Sequence, residues 1–576
     1  MIHIEAAQSK SGEPTLSVRL DCGRTVRLHS AFDPVKEAAR GVSQFETSPG
    51  RLILVAGCGL AYHVRLLREK YPNNAILVIE RYPEIAEESR KLCPGNLEGC
   101  RIIHDESHID AVLETMNISR FRGTSVFFHR QSYSADSGYY DTMVGEVSRY
   151  ISSKISDLLT RFEFEERWVE NIFTNIPALS RALPAHEFFH RFSGIPAILV
   201  SAGPSLKESA PELLRYRGRA LIACVDTAYK VLLSCGVEPH IVMVLDAQKH
   251  SLLHFLGTHS RRTVLLADIV SCPQVMRRFD GEICISTTSK YYDDESGKVK
   301  RETTPCVDWL EQYTGPLGDV QSGGSVATSL FDFLLNCGCN SITLVGQDLA
   351  YTGRKIHATG TYHNERWLAA LDRFTSLENI NQNIIRRRKI RYVRSVSGET
   401  TILTDYVLDL YRRWFSDSAR LVSIPVYNAS RAGAYVDYTV HTDLDTVMQK
   451  HGSADVNIDD RIGQVFSKAS RINTGRLIPA LDSLEESVSA LHALAREAYT
   501  DDDKYGTVLD TLETPDIRTV FAPFLKRTRT YLDRHELDDV KRRTLILDDV
   551  IRSSEKISAL IRKIDAIRTR QKRSTP

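Results

Sequence analysis

Short apolar runs of four or five residues recur through the first three-quarters of the chain. Each is followed by a turn carrying glycine or aspartate and then by a stretch with helical spacing. Runs of that length predict strands buried on both faces, and their alternation with helices predicts parallel sheets. The densest segment is Pro196–Asp246, which predicts strand, Gly203-Pro204-Ser205 turn, helix, strand, helix, strand, with Asp226 and Asp246 closing the last two strands. An earlier set opens at Arg51: strand, Gly57-Cys58-Gly59 turn, helix, and a strand ending at Glu80. Further strands are expected at RIIHD, TSVFFHR, Thr263–Ala267, Glu282–Ser286 and SITLVG, the last running into Gln347-Asp348.

From about Thr446 the rhythm changes. Leu477, Leu481, Leu484, Val488 and Leu491 keep a 4-3-4-3 spacing, the stripe of a bundle helix. The expected fold class is α/β, with two Rossmann-like domains and an α-helical C-terminal domain. The expected bounds are 1–150, 151–445 (including a helical connector from Ile151 to Phe192) and 446–576.

Composition narrows the class. The chain has 576 residues and a formal net charge of +1, which gives no polyelectrolyte signal for nucleic acid or membrane. The N-terminus lacks an apolar signal-peptide core, and no apolar run is long enough to span a bilayer. The 11 cysteines are scattered without a CxxC pair, as expected of buried thiols in a cytoplasmic protein. The last residues, KIDAIRTRQKRSTP, are basic and suit either an acidic partner or a solvated end.

The chemistry concentrates at turns. Gly203 permits close backbone approach, Pro204 stiffens the turn, and Ser205 is placed to cap the following helix, whose N-terminus would suit a phosphate. Ser322-Gly323-Gly324-Ser325 opens a later helix and offers a second cradle of the same kind. In an open parallel sheet ligands sit outside the carboxyl ends of the strands, so both turns and Asp226, Asp246 and Asp348 should share one edge. Helix capping is the plainer role for Asp226 and Asp268. His357 and His363 flank Gly360 in a polar loop expected over that edge, where a histidine can act as acid or base. A strand ending in Tyr427-Asn428 follows. His186-Glu187-Phe188-Phe189-His190 matches the HExxH zinc motif in letters, but its helix is short and its phenylalanines suit packing. Gly57-Cys58-Gly59 with Glu80 is similar to the first motif of S-adenosylmethionine-dependent methyltransferases. A turn glycine needed only for the backbone gives the same letters.

The central segments resemble the motility accessory factor family of flagellin glycosyltransferases. The matching pieces are PAILVSAGPSLKE, ACVDTAYKVLL, GVEPHIVMVLDAQ, SGGSVATSLFDFLLNCGCNSITLVGQDLAYTGRKIHATGTY, SGETTILTDYVL and YNASRAGA. They run in order from about Pro177 to Asp437. The resemblance implies a sialyltransferase-like core and transfer of a nonulosonic acid, of pseudaminic or legionaminic type, from a CMP-activated donor to flagellin Ser or Thr. It implies nucleotide contacts from Gly203, Pro204, Ser205, Ser322, Gly323 and Gly324. On the same edge Asp226 is a further candidate for the nucleotide and Asp246, Gln347, Tyr351 and Asn428 are candidates for the substrate, while Asp226, Asp246 and Asp348 could instead hold the sugar, the ribose or a cation. His357, His363 and Asp348 would be catalytic. No cofactor is required, although magnesium can be accommodated, and self-association through the C-terminal helices is allowed.

Two departures qualify that carry-over. Ala202 stands where the sialyltransferase turn has asparagine, and Ser430-Arg431-Ala432 stands where the family has an acidic residue and glycine. The Gly-Pro-Ser and aspartate pattern also resembles archaeal-type pterin pyrophosphokinases, whose aspartates would hold magnesium and ATP. A flagellin-binding protein without activity is the third reading.

Overall fold

The structure is a computed structural model, and it describes residues 2–20, 23–116, 121, 123–293, 298–452, 456–534 and 537–574. Side chains beyond Ile564, and with them most of the basic C-terminal stretch, lie outside the described residues. The chain divides into two compact units, Met1–Glu163 and Phe164–Pro576. The division falls inside one long helix, Ser137–Leu179, so the expected boundary at residue 150 is helical backbone.

The N-terminal unit opens with an antiparallel sheet of β1 (His3–Gln8), β2 (Pro14–Arg19) and β3 (Thr25–Arg27). A parallel sheet follows, made of β4 (Leu52–Ala56), β5 (Ile76–Ile79), β6 (Arg101–Ile103) and β7 (Thr124–Phe128) in the order β6-β5-β4-β7. The β4 sequence LILVA and the β5 sequence ILVI are buried throughout because helices cover both faces.

In this unit the glycine turn is closed from within. Glu80 accepts the Cys58 amide at 2.8 Å, the Tyr82 amide at 3.2 Å and the Tyr140 hydroxyl at 3.2 Å. His29 Nε2 accepts the Leu60 amide at 2.6 Å, and a Cβ on Gly59 would lie 2.4 Å from that nitrogen. The space beside Glu80, between Leu20, Leu28, Ile85 and Tyr140, holds about 10 Å³, room for a single water. Both glycines meet a steric need, since a Cβ on Gly57 would also lie 2.2 Å from Ser132 Cβ.

The second unit contains an 11-stranded sheet in the order β14-β13-β12-β11-β10-β9-β16-β19-β20, with β8 and β15 paired to β13. Its strands are β8 (Leu183–Pro184), β9 (Pro196–Val200), β10 (Leu221–Val225), β11 (Ile241–Val244), β12 (Val264–Asp268), β13 (Ile283–Asp293), β14 (Val299–Thr303), β15 (Asp319–Gln321), β16 (Ser341–Val345), β19 (Val426–Asn428) and β20 (Val440–His441). A separate hairpin pairs β17 (Ile390–Arg394) with β18 (Thr401–Asp405). From β9 the chain winds outward through β10, β11, β12 and β13, then returns to the other side of β9 as β16. The winding direction reverses between β9 and β16, which opens a crevice at their carboxyl ends.

The helical region shares this unit's hydrophobic core. Leu477, Leu481, Leu484, Val488 and Leu491 are all buried, as their spacing predicts, against a helix that contributes Leu547, Val550 and Ile557. The HExxH letters do not form an α-helix. Ala185–Phe188 is a 3-10 turn, His190 has φ of 58°, and Phe188 is buried against Phe192. No helix among the described residues is long and apolar enough to cross a membrane.

Three imidazoles lie packed together and buried in the N-terminal unit, with His63 stacked on His129 and His29 tilted against it. The His63 and His129 rings are 4.6 Å apart and the His29 and His129 rings 5.0 Å. Burial lowers His29 to about 3, with the neighbouring His63 adding to the effect, and lowers His63 to about 4. His129 is pushed well below the usual histidine value, again chiefly by burial. All three are neutral in the fold, whereas the unfolded chain takes up protons near pH 6.5. Stability is thus full above that pH and is lost as pH falls toward the folded values, by on the order of 1 kcal/mol per histidine per pH unit. Urea unfolding of the whole chain, followed by proteolysis and mass spectrometry on peptides from residues 52–103, should give a lower midpoint at pH 5 than at pH 7.5. Equal midpoints would contradict the neutral stack.

Candidate functional site

The crevice between β9 and β16 is lined by the loops that follow these strands. Ser201 donates its hydroxyl to Gln347 Oε1, and the Gly203 amide donates to the Gly346 carbonyl at 2.8 Å. Asp348 then occupies the Gly-Pro-Ser turn. One of its oxygens accepts the Ser205 amide at 3.0 Å, and the other accepts the Ser205 hydroxyl. Gly203 is required by this closeness, since a Cβ there would lie 2.4 Å from the Gly346 carbonyl and 2.6 Å from Asp348 Oδ1. Gly433, at φ of 115°, approaches from the other side, where a Cβ would fall 2.3 Å from the Asp348 carbonyl. Burial raises the Asp348 carboxyl, and the bonds from Ser205 oppose the shift.

This arrangement differs from the expected phosphate cradle. Ser205 makes no side-chain cap, and the helix after it, Leu206–Ser209, is one turn long before it tightens to a 3-10 helix. The turn's polar groups face Asp348, the carboxylate expected to act in catalysis, and Ser205 is its partner. The next residue, Leu349, is held at φ of 50° with its carbonyl bonded by Thr404 Oγ1 at 2.8 Å. Left-handed backbone at a leucine is strained, and surrounding structure must hold it.

The second expected cradle is also satisfied internally. Thr328 Oγ1 accepts the Gly323 amide at 3.0 Å and the Ser325 amide at 3.2 Å, and Ser322 Oγ accepts the Gly324 amide at 3.1 Å. Ser325 and Thr328 close a capping box on the helix Val326–Asn336. Gly323 packs on Trp414, and Tyr411 donates to the Gly324 carbonyl at 2.8 Å.

The loop after β16 carries the histidines. Tyr351 donates its hydroxyl to Asp405 at 2.5 Å, and the Ala358 amide bonds the Ala202 carbonyl at 2.9 Å, docking the loop onto the Gly-Pro-Ser turn. His357 and His363 stack at 5.0 Å between ring centroids. His363 lies 5.4 Å from the buried ring of His254. On the same 3-10 segment, Lys249–His254, His250 Nε2 contacts Asp246 Oδ2 at 3.1 Å, and Asp246 also accepts the Gln248 amide at 2.8 Å. Asp226, at the end of β10, accepts from the Thr227 amide at 2.6 Å and from the Thr227 hydroxyl at 3.0 Å.

Four histidines and two aspartates thus gather along the carboxyl ends of β9, β10, β11 and β16. Burial lowers His357 to about 3, with His363 and His254 adding to the effect. Burial also lowers His363, while the Asp226 charge pulls it back up. Asp226 itself is pushed up to about 6, first by burial and further by Asp246. His254 falls to about 4 by burial, and its Nδ1 has no hydrogen-bond partner among the described residues. A neutral imidazole cluster beside carboxylates can accept a proton and hold it as an ion pair. Among the described residues no group of three His, Cys, Asp or Glu is arranged to hold a metal ion.

The remaining expected residues lie nearby in the fold but are committed to it. Gln347 is anchored by Ser201 and by its amide on Ser430 Oγ at 3.0 Å. Asn428, at the end of β19, accepts the Ser430 amide at 3.0 Å and leaves its buried Nδ2 without a partner among the described residues. Asp268 closes a turn on Val270 and accepts the Thr288 hydroxyl, and does not cap the helix that starts at Pro273. Asp226 likewise makes no side-chain cap. His250 and His254 were not anticipated. Their i, i+4 spacing just after Asp246 is the sequence signal that could have found them.

A doubly wound sheet with polar groups at its switch point is the architecture of nucleotide-binding α/β proteins. The comparisons agree on the fold. The family model 6-hydroxymethylpterin diphosphokinase MptE-like matches residues 170–354, the stretch from the helical connector to the start of the histidine loop. Over 98% of its length the chain follows the fold of the MAf glycosyltransferase from Magnetospirillum magneticum AMB-1, covering 92% of that chain with a TM-score of 0.52 at 14% identity. It is also similar to two uncharacterised proteins of Treponema pallidum (strain Nichols). One is 24% identical over 44% of this chain and 45% of its own length, and the other is 26% identical over 35% and 56%. The chain thus spans about half the length of the curated relatives it matches. The fold anticipated from the central motifs, with its MptE-like core, is the one observed.

The Asp348 clamp can be tested by stability. Asp348→Ala leaves the Ser205 amide and hydroxyl without their acceptor and should destabilise the protein by about 1–3 kcal/mol. Gly203→Ala should destabilise it comparably through overlap. Urea titration reads both. A wild-type midpoint in Asp348→Ala, together with lost turnover, would make the carboxylate a chemical group instead.

Proposed function

We propose that this protein is a glycosyltransferase that moves a nonulosonic acid of pseudaminic or legionaminic type from a CMP-activated donor to Ser or Thr hydroxyls of flagellin in the cytoplasm. The observation that carries the reading is the histidine cluster at the switch-point crevice, in a chain whose fold follows a MAf glycosyltransferase over nearly its whole length.

The acceptor hydroxyl gives its proton to His363 as its oxygen bonds to the anomeric carbon. The bond from that carbon to the donor phosphate breaks, and the electron pair leaves with CMP. His363 suits the task because Asp226 stabilises the imidazolium that forms. His357, lowered to about 3, is too weak a base at neutral pH. It stacks on His363 and holds the ring in place, its own nitrogen directed at the Ala202 carbonyl. This scheme needs no metal, although Asp226 and Asp246 supply carboxylates on which magnesium can assist. Flagellin and the nucleotide sugar are the partners, and the C-terminal helices provide a surface for self-association.

A second reading has its own observation, the family model over residues 170–354. Under it Asp226 and Asp246 would hold magnesium for pyrophosphoryl transfer from ATP. Stabilisation by CMP supports the transferase, and stabilisation by ATP only with magnesium supports the kinase. A response to neither leaves a flagellin-binding protein.

His363→Ala should lower transfer by about 10²–10⁴-fold, whereas His357→Ala should cost less and act partly through KM. Turnover should fall as pH drops through about 6, where Asp226 gains a proton and no longer stabilises the imidazolium. Transfer is read by mass spectrometry of flagellin. Normal turnover in His363→Ala removes the assignment of the base.

A further inference from the structure

The reading above leaves the donor's negative charge without a partner, because both backbone cradles are filled from inside. The Gly-Pro-Ser turn faces Asp348, and the Ser322–Ser325 amides face Thr328 and Ser322. A CMP-sugar of this class carries a phosphodiester and a carboxylate. Neither is well held in a crevice lined by Asp226, Asp246 and neutral imidazoles.

Positive charge arrives at this edge from another element. The helix Leu377–Arg386 holds the histidine loop by its Asn381, whose Oδ1 accepts the Ile356 amide at 3.1 Å, one residue before His357. Directly after that helix the chain reads Arg386-Arg387-Arg388-Lys389, and all four are exposed. None makes an ion pair among the described residues, whereas Arg391 nearby is paired with Asp409 at 3.1 Å. The run is fixed at its far end by the Lys389 carbonyl, which accepts the Tyr406 amide at 3.0 Å beside the Tyr351–Asp405 bond. Cations at a helix C-terminus are favoured by its dipole, but that effect fades within the last turn and does not account for four in succession. In a chain of net charge +1, an unpaired basic run joined to the catalytic loop is a local anion trap.

We propose that Arg388, with its basic neighbours, forms the anion subsite that receives the phosphate of the nucleotide-sugar donor. Guanidinium suits this because its fork donates two parallel hydrogen bonds to phosphate oxygens, and it can take up charge as the phosphate becomes a dianion. The Arg388 charge reaches the site: after burial and the neighbouring imidazoles it adds to the lowering of His357, and it opposes the raised proton affinity of the Tyr351 hydroxyl. Arg366, one turn after His363, acts on that ring in the same sense from the opposite arm of the loop.

The subsite rests on the glycosyltransferase reading, and titration calorimetry of the full chain with CMP and with cytidine separates the two. Wild-type protein should bind CMP more tightly than cytidine, by a margin that shrinks as salt rises from 50 to 500 mM. Arg388→Ala should weaken CMP at least tenfold at low salt, leave cytidine unchanged and keep the wild-type urea midpoint. Arg388→Lys should recover part of the loss. No CMP binding by wild-type protein would overturn the donor reading and the subsite together. Unchanged CMP affinity in Arg388→Ala would overturn the subsite alone. If that variant instead lost capture of flagellin while keeping CMP, the cluster would belong to an acidic acceptor surface, which also overturns the proposal.

Discussion

Everything at the candidate site depends on one buried anion. Asp348 sits where the sheet reverses direction, and its two oxygens tie the loop after β16 to the turn after β9 through Ser205. A carboxylate taken out of water is costly unless its lone pairs are satisfied, so this contact fixes the separation of the two loops closely. Gly203 and Gly433 have no room for a side chain because the carboxylate and its backbone lie against them. The strained Leu349 follows, pinned by Thr404, and from there the chain carries His357 and His363 back over the Gly-Pro-Ser turn. Geometry at the histidines is thus inherited from the contact between Asp348 and Ser205.

The electrostatics divide along the same line. Burial keeps His254, His357 and His363 neutral, while Asp226 opposes the shift at His363 alone. Asp246 acts on His254 in the same way, so two of the rings have a carboxylate beside them and His357 has none. The carboxylates and neutral rings make the crevice inhospitable to an anionic donor, and the unpaired basic run next to the histidine loop offsets this. The proposed base and the proposed anion subsite come from adjoining segments, and the docking of the loop sets the position of both.

Much of this was legible in the sequence, for reasons that can be named. Wholly apolar runs such as PAILV and LIACV mark strands covered on both faces, and all of the second unit's core strands singled out in advance formed. The stripe at Leu477–Leu491 was equally clear, because a helix that buries one face repeats its apolar positions by geometry. What could not be read was which partner a polar residue chooses. Ser205 has the residue type of a cap and Asp348 that of a catalytic acid, yet they bond across more than a hundred residues of chain. The Gly57-Cys58-Gly59 turn resembled a cofactor site, but Glu80 and His29 satisfy its amides internally. His250 and His254 were passed over because a lone histidine pair signals little until the fold brings it to His363.

On the proposed function, a nucleotide lies in the β9–β16 crevice, held by side-chain cations and facing His363, and not on backbone cradles. The most direct measurement is a crystal structure of the full chain with bound CMP, in which the phosphorus atom is located. The phosphate should lie beside Arg388, with the Asp348–Ser205 contact intact. A phosphate seated on the Gly203–Ser205 amides with Asp348 displaced, or a nucleotide bound against the Gly57 turn, would contradict it.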